Sequence, residues 1–436
     1  MRLESTRGQS PPVSFREAII AGIAPDGGLY LPIDLPSVPA EDLDRWRDLT
    51  FPSLAVELSR RLLAGEFSPE VIERLVSDAL DFPAPTIKLS PGVYVLELFH
   101  GPTLAFKDFG ARFLARFFSH LLADRGEQAT ILVATSGDTG SAVAHGFFGV
   151  PSVTVVVLYP KGKVSRFQEA QMATLGGNIL AVAVPGTFDD CQRLAKTAFL
   201  DRRLARLRLS SANSINVGRL LPQSFYYFAS YLAATARTAD RVIFSVPSGN
   251  LGNLTAGVIA GRLGLPVRRF IGATNVNDVL TEYVRTGVYR ARPSIATISN
   301  AMDVGDPNNF PRLLALHGGS LEELRAKVWS TSVNEQETRE AIRRVYETTG
   351  YVLDPHGAVG WVAAERLRRE QGDDRPIIAL LTAHPAKFGD AIEEELGFRP
   401  ELPELYRDWA IRPLLAKDLP DTEYDTFRDF LLSRRA

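Results

Sequence analysis

The stretch Phe99-His-Gly-Pro-Thr-Leu-Ala-Phe-Lys-Asp-Phe-Gly110 sets one lysine, Lys107, at a strand-to-helix junction. Val93 to Phe99 reads as a short apolar strand. After the lysine, Phe109, Phe113, Phe117 and Leu121 recur every four residues, the stripe of a buried helix. A lysine in a first helical turn is disfavoured by the helix dipole, so its ammonium is better placed if neutralised or converted to an imine. Lys107 is therefore a candidate cofactor anchor. On the residues alone, a surface lysine flanking a core helix is the other reading.

Working outward, the chain beyond Val93 alternates strand and helix signals, which predicts mostly parallel sheets covered by helices. Strands are expected at Ile131–Ala134, Val153–Tyr159, Ile179–Val184, Val242–Val246, Phe270–Ala273 and Ile377–Leu381, with helices at Ser141–Phe148, Val164–Leu175 and Thr187–Phe199. Before Val93, helical patterns at Phe15–Ile20 and Leu54–Leu63 alternate with proline-rich breaks. The expected organisation is α/β: a small, mainly helical N-terminal region (1–92), a smaller α/β domain carrying Lys107 (93–236) and a larger one (237–436), each with a doubly wound, mostly parallel sheet.

Composition narrows the function. At 436 residues, 45% hydrophobic and 23% charged, the chain reads as an ordinary multidomain globular protein. A formal charge of −2 gives no reason to expect nucleic acid or an anionic membrane as partner. Met1 to Pro12 is polar and no apolar run approaches a membrane span, so neither a secretory signal nor a membrane segment is expected. The single cysteine, Cys191, excludes an internal disulfide and argues against a cysteine-based metal site. Six histidines without paired helical spacing argue against a zinc hydrolase, and no metal is expected. These readings together predict a cytoplasmic protein.

Two glycine-rich turns fall where ligand sites form in such folds, between a strand end and a helix start. They are Thr135-Ser-Gly-Asp-Thr-Gly140 and Pro247-Ser-Gly-Asn-Leu-Gly-Asn253. Small residues let backbone amides approach an anion, although tight turns also need glycine for geometry alone. Neither loop spells the three-glycine dinucleotide fingerprint. A Walker loop ending at Gly162-Lys163 would need glycine at Val157 and a hydroxyl residue at Val164. The second loop suits one phosphate better than a pyrophosphate. With a lysine on one side and a phosphate cup on the other, the set is the one expected of a pyridoxal phosphate enzyme.

The segment His100 to Gly110 resembles the cofactor-lysine motif of threonine synthases. Ala134-Thr-Ser-Gly-Asp-Thr-Gly140, Asn213-Ser-Ile-Asn216, Val246 to Asn253, Ala273-Thr-Asn-Val-Asn-Asp278 and Ser299-Asn-Ala-Met-Asp-Val304 are similar to further blocks of that family in the same order. Val13-Ser-Phe-Arg-Glu-Ala18 and Gly27-Gly-Leu-Tyr-Leu-Pro32 resemble its N-terminal region. The resemblance implies the tryptophan-synthase-like fold type II of pyridoxal phosphate enzymes. It also implies conversion of O-phospho-L-homoserine and water to L-threonine and phosphate, by a monomer or homodimer. A phospho-lyase releasing 2-oxobutyrate would share every cofactor motif, and a noncatalytic binding homologue is a third reading.

Residue roles follow from the same resemblance. Lys107 matches the Schiff-base lysine and proton carrier. Ser248, Gly249, Asn250, Leu251, Gly252 and Asn253 match the cofactor phosphate cup. Thr382 matches the hydroxyl partner of the pyridine nitrogen, its alternative being a strand-end cap for the next helix. Thr135, Ser136 and Thr139 match the turn that takes the substrate carboxylate. Asp138 stands where wider relatives place asparagine toward the cofactor's phenolic oxygen; a carboxylate beside a phenolate repels it unless a proton is shared. Asn213, Ser214 and Arg219 match the segment for the substrate phosphate, where a guanidinium suits a dianion. Lys161, Lys163 and Arg166 form a second basic candidate, equally read as a solvated helix start. His384 reads as a loop residue.

Overall fold

The computed structural model describes residues 1–135 and 137–433. Ser136, expected at the carboxylate turn, lies outside the described residues. Two parallel sheets dominate, as strands rich in Val, Ile and Leu require when both faces are covered. Every residue of Ala129–Ala134 and of Val242–Pro247 is buried. One sheet has five parallel strands in the order Lys417–Asp418, Ile179–Val184, Val153–Pro160, Ala129–Ala134 and Leu209–Ser210. The other has six, in the order Val328–Ser332, Val267–Thr274, Val242–Pro247, Ile377–Leu381, Val93–Glu97 and Thr86–Ser90. Only Thr86–Ser90 runs antiparallel.

The sheets divide the chain differently from the boundary expected at 93 and from a larger domain running on to 436, while the change of sheet between Leu209–Ser210 and Val242–Pro247 spans position 237. Val93–Glu97 pairs with Ile377–Leu381, so it belongs to the larger sheet and not to the domain of 93–236. The tail leaves the larger sheet and returns: Lys417–Asp418 pairs with Ile179–Val184, and Phe427 and Leu431 of the helix Tyr424–Ser433 pack with Cys191 and Leu194. The N-terminal region also holds a three-stranded antiparallel sheet of Val13–Ser14, Arg2–Ser5 and Tyr30–Pro32. Strands of two to four residues are too short for alternation to reveal, which is why the sequence showed only helices there.

The lysine begins the helix Lys107–Arg125, which Gly126 ends in the left-handed conformation at φ +61°. The expected stripe is buried, as is most of the helix circumference, with Arg112, Arg116 and Ser119 on the half-buried remainder. Phe109 meets Phe51, Phe82 and Tyr226 edge-on, while Phe113 stacks on Phe117 and Phe117 meets Phe15 and Phe67. Beside these rings, Gly110 lies against the short helix Val217–Leu220, where a β-carbon would stand 2.5 Å from the Arg219 carbonyl oxygen. That backbone cannot yield as a side chain can. Gly110→Ala should therefore cost about 1–3 kcal/mol of stability, read as a lowered thermal midpoint, whereas an unchanged midpoint would show that the two helices part freely.

Candidate active site

Lys107 is reached through a turn that the fold secures at several points. Asp108 accepts from the Thr103 amide at 2.8 Å and the Thr103 hydroxyl at 2.7 Å. Burial pushes the Asp108 carboxyl up to about 6 against those bonds. Leu104 sits at φ +58°, a conformation that costs a non-glycine residue roughly 1–2 kcal/mol. Its side chain packs with Tyr406 and Trp409. The turn is also laced to the end of the strand Ile377–Leu381: the Phe106 amide donates to the Thr382 carbonyl at 2.9 Å, and the His384 amide to the Leu104 carbonyl at 3.0 Å. Lys107 and Thr382 are thus brought together.

Around the Lys107 amine the charges are two cations and one anion. Its Nζ lies 3.9 Å from Asp138 Oδ2, while Asp138 Oδ1 accepts from Lys387 Nζ at 2.7 Å and Gln168 Nε2 at 2.9 Å. Burial lowers the Lys107 amine to about 8, with Lys387 and Arg219 adding to that effect and Asp138 opposing it. Burial would raise Asp138, yet Lys387 and Lys107 hold its carboxyl well below the usual carboxylate range. Asp138 starts the helix Asp138–Phe147, preceded by Gly137 at φ +141°, where a β-carbon would strike the Gln168 side chain. Lys387 and Gln168 were not singled out from the sequence. A lysine five residues beyond Thr382, on the turn Pro385–Phe388, was the available signal.

The remaining turn residues divide in role. The Thr135 hydroxyl accepts from the Gly137 and Gly140 amides, both at 2.9 Å, so it shapes the loop from within and is not free for a ligand. Thr139 is half-buried on the same turn. At the second glycine loop, Leu251 adopts φ +59° and the helix Gly252–Arg262 starts without a side-chain cap. Its first amides are therefore offered to an incoming group. Gly249 is pressed on Met302, whose Cα a β-carbon would approach to 2.7 Å. Asn253 Oδ1 accepts from Tyr226 and Tyr227, each at 2.7 Å, while its Nδ2 is buried without a partner. Ser248 donates to the Val246 carbonyl at 2.7 Å.

Ser214 stands beside this cup, its hydroxyl accepting from Asn250 Nδ2 at 2.8 Å. Asn213 Oδ1 and Arg219 Nε are buried and unpartnered, although Arg219 Nη1 donates to the Ala212 carbonyl at 2.6 Å. Burial lowers Arg219 to about 10, opposed by Asp108. A further residue unremarked in the sequence, Arg312, is fully buried and clamps this segment through the Ser214 and Ile215 carbonyls and the Tyr30 carbonyl. Lys161 is engaged with Asp418 at the surface, 2.8 Å away. His384 accepts from the Ala386 amide and caps its own turn, its pKa lowered to about 4 by burial. Among the described residues, no group of three His, Cys, Asp or Glu could hold a metal, and no helix is long and apolar enough to cross a membrane.

The family profile "Pyridoxal-phosphate dependent enzyme" matches residues 80–383. It is flanked by "Threonine synthase N terminus" at 2–80 and "Threonine synthase, C-terminal" at 357–431. The chain is 42% identical to the threonine synthase of Escherichia coli, covering 100% of both chains. It superposes with a TM-score of 0.94 on the pyridoxal-phosphate-bound threonine synthase of Brucella melitensis, at 37% identity over 99% of this chain and 98% of that one. For yeast threonine synthase the TM-score is 0.91 at 34% identity, covering 100% and 99%.

The residues present suit this cofactor. A buried amine of lowered proton affinity is the nucleophile its aldehyde needs, and the uncapped helix start with the orphaned Asn253 Nδ2 suits a phosphate. An amine-reactive acylating reagent applied without cofactor should modify Lys107 with a midpoint near pH 8, against 10.5 for an ordinary lysine. A midpoint at the ordinary value would mean that the amine is solvated and not buried.

Proposed function

Because the chain belongs to the threonine synthase family of pyridoxal-phosphate-dependent enzymes, we propose that its cleft converts O-phospho-L-homoserine and water to L-threonine and inorganic phosphate. The observation that carries the reading is convergence: Lys107, Thr382 and the Ser248–Asn253 cup follow three neighbouring strands of one parallel sheet, within a full-length match to threonine synthases.

Pyridoxal phosphate supplies an electron sink for negative charge developing next to the substrate nitrogen. Lys107 would hold it through the ε-amine. Freed for proton transfer, the Lys107 amine would take one proton from the α carbon and one from the β carbon, and would return one to the γ carbon after phosphate leaves it and one to the α carbon after water adds at the β carbon. A base whose pKa lies near the working pH suits transfers in both directions. Amides of Gly249 to Asn253 would hold the cofactor phosphate, and the Thr382 hydroxyl would donate to the ring nitrogen. That choice moderates the sink, because a hydroxyl does not force a proton onto the nitrogen as a carboxylate would.

Ser136, Thr139 and the amides of the 135–140 turn would take the substrate carboxylate, with Thr135 keeping the turn in shape. Asn213, Ser214 and Arg219 would receive the substrate phosphate; the unpartnered Arg219 Nε, a donor, supports an anion there. Ser214, bonded to the cup residue Asn250, would stand between the two phosphates. A cytoplasmic setting suits the buried, unpaired Cys191, whose thiol burial pushes up to about 12.

Purified protein supplied with pyridoxal phosphate and O-phospho-L-homoserine should release threonine and phosphate in equal amounts; 2-oxobutyrate and ammonia instead would identify a degradative lyase. Lys107→Ala should lose the cofactor's visible absorption and lower turnover by roughly 10²–10⁴-fold. Arg219→Ala should mainly raise KM, by about tenfold or more, as expected for losing a charged hydrogen-bond donor. Kinetics matching the parent protein would remove Arg219 from the phosphate site.

A further inference from the structure

Lys387 has no part in the reaction as described, yet its side chain is fully buried. A buried ammonium is costly and persists only where it is paired. This one donates to Asp138 Oδ1 at 2.7 Å and to the Thr103 carbonyl at 2.9 Å, the same carbonyl that takes Gln171 Nε2 at 3.1 Å. Asp138 therefore sits between two amines, in contact with Lys387 and facing Lys107 from 3.9 Å.

Resting on the reading of Lys107 as cofactor anchor, we propose that Lys387 is a positioning residue that sets the charge of the Lys107 nitrogen: its ammonium keeps Asp138 ionised and aimed at that nitrogen while offsetting the negative charge Asp138 presents. The signs are separable. Asp138 alone would strengthen the hold of Lys107 on its proton, and Lys387 weakens it, both by direct repulsion and by neutralising Asp138. When Lys107 is neutral and ready to attack, what remains between them is a balanced pair. An anionic oxygen of the cofactor brought near Asp138 would meet a neutralised carboxylate.

Other charges bear on the same amines. Arg219 faces Lys107 from the helix Val217–Leu220 and also weakens its proton affinity. Asp108, from the first turn of the lysine's own helix, acts on both Lys387 and Arg219. His145 and His384 lie within the field of Lys387, and burial lowers both to about 4, so they stay neutral near physiological pH.

The test follows uptake of pyridoxal phosphate by the full-length chain, stripped of cofactor, through the growth of its visible absorption across pH. Attack requires the neutral amine, so the midpoint of the rate profile reports Lys107. Lys387→Met should move that midpoint upward by about one unit or more, a tenfold gain in proton affinity, and Lys387→Arg should bring it back. Asp138→Asn, which leaves Lys107 facing Lys387 and Arg219 without an anion, should move it downward, and serves if Lys387→Met does not fold. An unmoved midpoint in Lys387→Met or in Asp138→Asn, with thermal stability retained, overturns the proposal. A parent chain that takes up the cofactor without visible absorption would instead overturn Lys107 as the anchor.

Discussion

The arrangement depends on one strand. Ile377–Leu381 pairs in parallel with Val242–Pro247 on one side and Val93–Glu97 on the other, with Ile377 opposite Ile243 and Val93. Because all three run the same way, their carboxyl ends share one edge of the sheet, where ligands collect in open α/β folds. Three distant segments of chain are thereby delivered to one place: the phosphate cup, Thr382 and the lysine turn. Backbone bonds then carry the pairing past the sheet. The Leu98 amide reaches the Leu381 carbonyl, and those of Phe106 and His384 tie the turn to the extension of the central strand.

The second sheet supplies the other wall, and its charge counts as much as its shape. Its strand Ala129–Ala134 leads to the turn that ends in Asp138, and Lys387, from the extension of the central strand of the first sheet, crosses to meet it. The sheets are thus joined at the site by a buried ion pair. Such a pair adds little net stability once desolvation is counted, but leaving either partner alone is expensive. That asymmetry favours a single docking of the two halves. Arg312 acts similarly on the far side, where a buried guanidinium satisfied by carbonyls joins the N-terminal region to the Asn213–Asn216 segment.

Much of this was legible in the sequence because it lies in continuous patterns. Buried parallel strands such as Ile179–Val184 and Ile377–Leu381 are unbroken apolar runs, and the helix after Lys107 declares itself by its phenylalanines. What stayed hidden is set by partners distant in sequence. Nothing local in Val93–Glu97 says which sheet it joins, and Lys417–Asp418 is two residues long. Lys387 has no motif of its own; its closeness to Thr382 in the chain is the one hint, and its distance to Asp138 is what marks it. The puzzle of a carboxylate near a phenolate was visible at Asp138, whereas the countercharge beside it lay out of sight. Thr135 shows the converse: the motif marks it, but its hydroxyl faces its own loop.

The central strand's position also governs how the protein comes off the ribosome. Val93–Glu97 is made early and its partner Ile377–Leu381 late; at about 5–20 residues per second, the first waits on the order of tens of seconds for the second. During that interval an apolar strand edge stands open, the kind of surface on which nascent chains aggregate. The antiparallel neighbour Thr86–Ser90, synthesised just beforehand, closes one edge at once and leaves a single side exposed. The tail strand Lys417–Asp418 arrives later still to finish the smaller sheet. Competence to hold a cofactor is therefore acquired near the end of synthesis, and a prematurely terminated chain carries the lysine without the strand that places it.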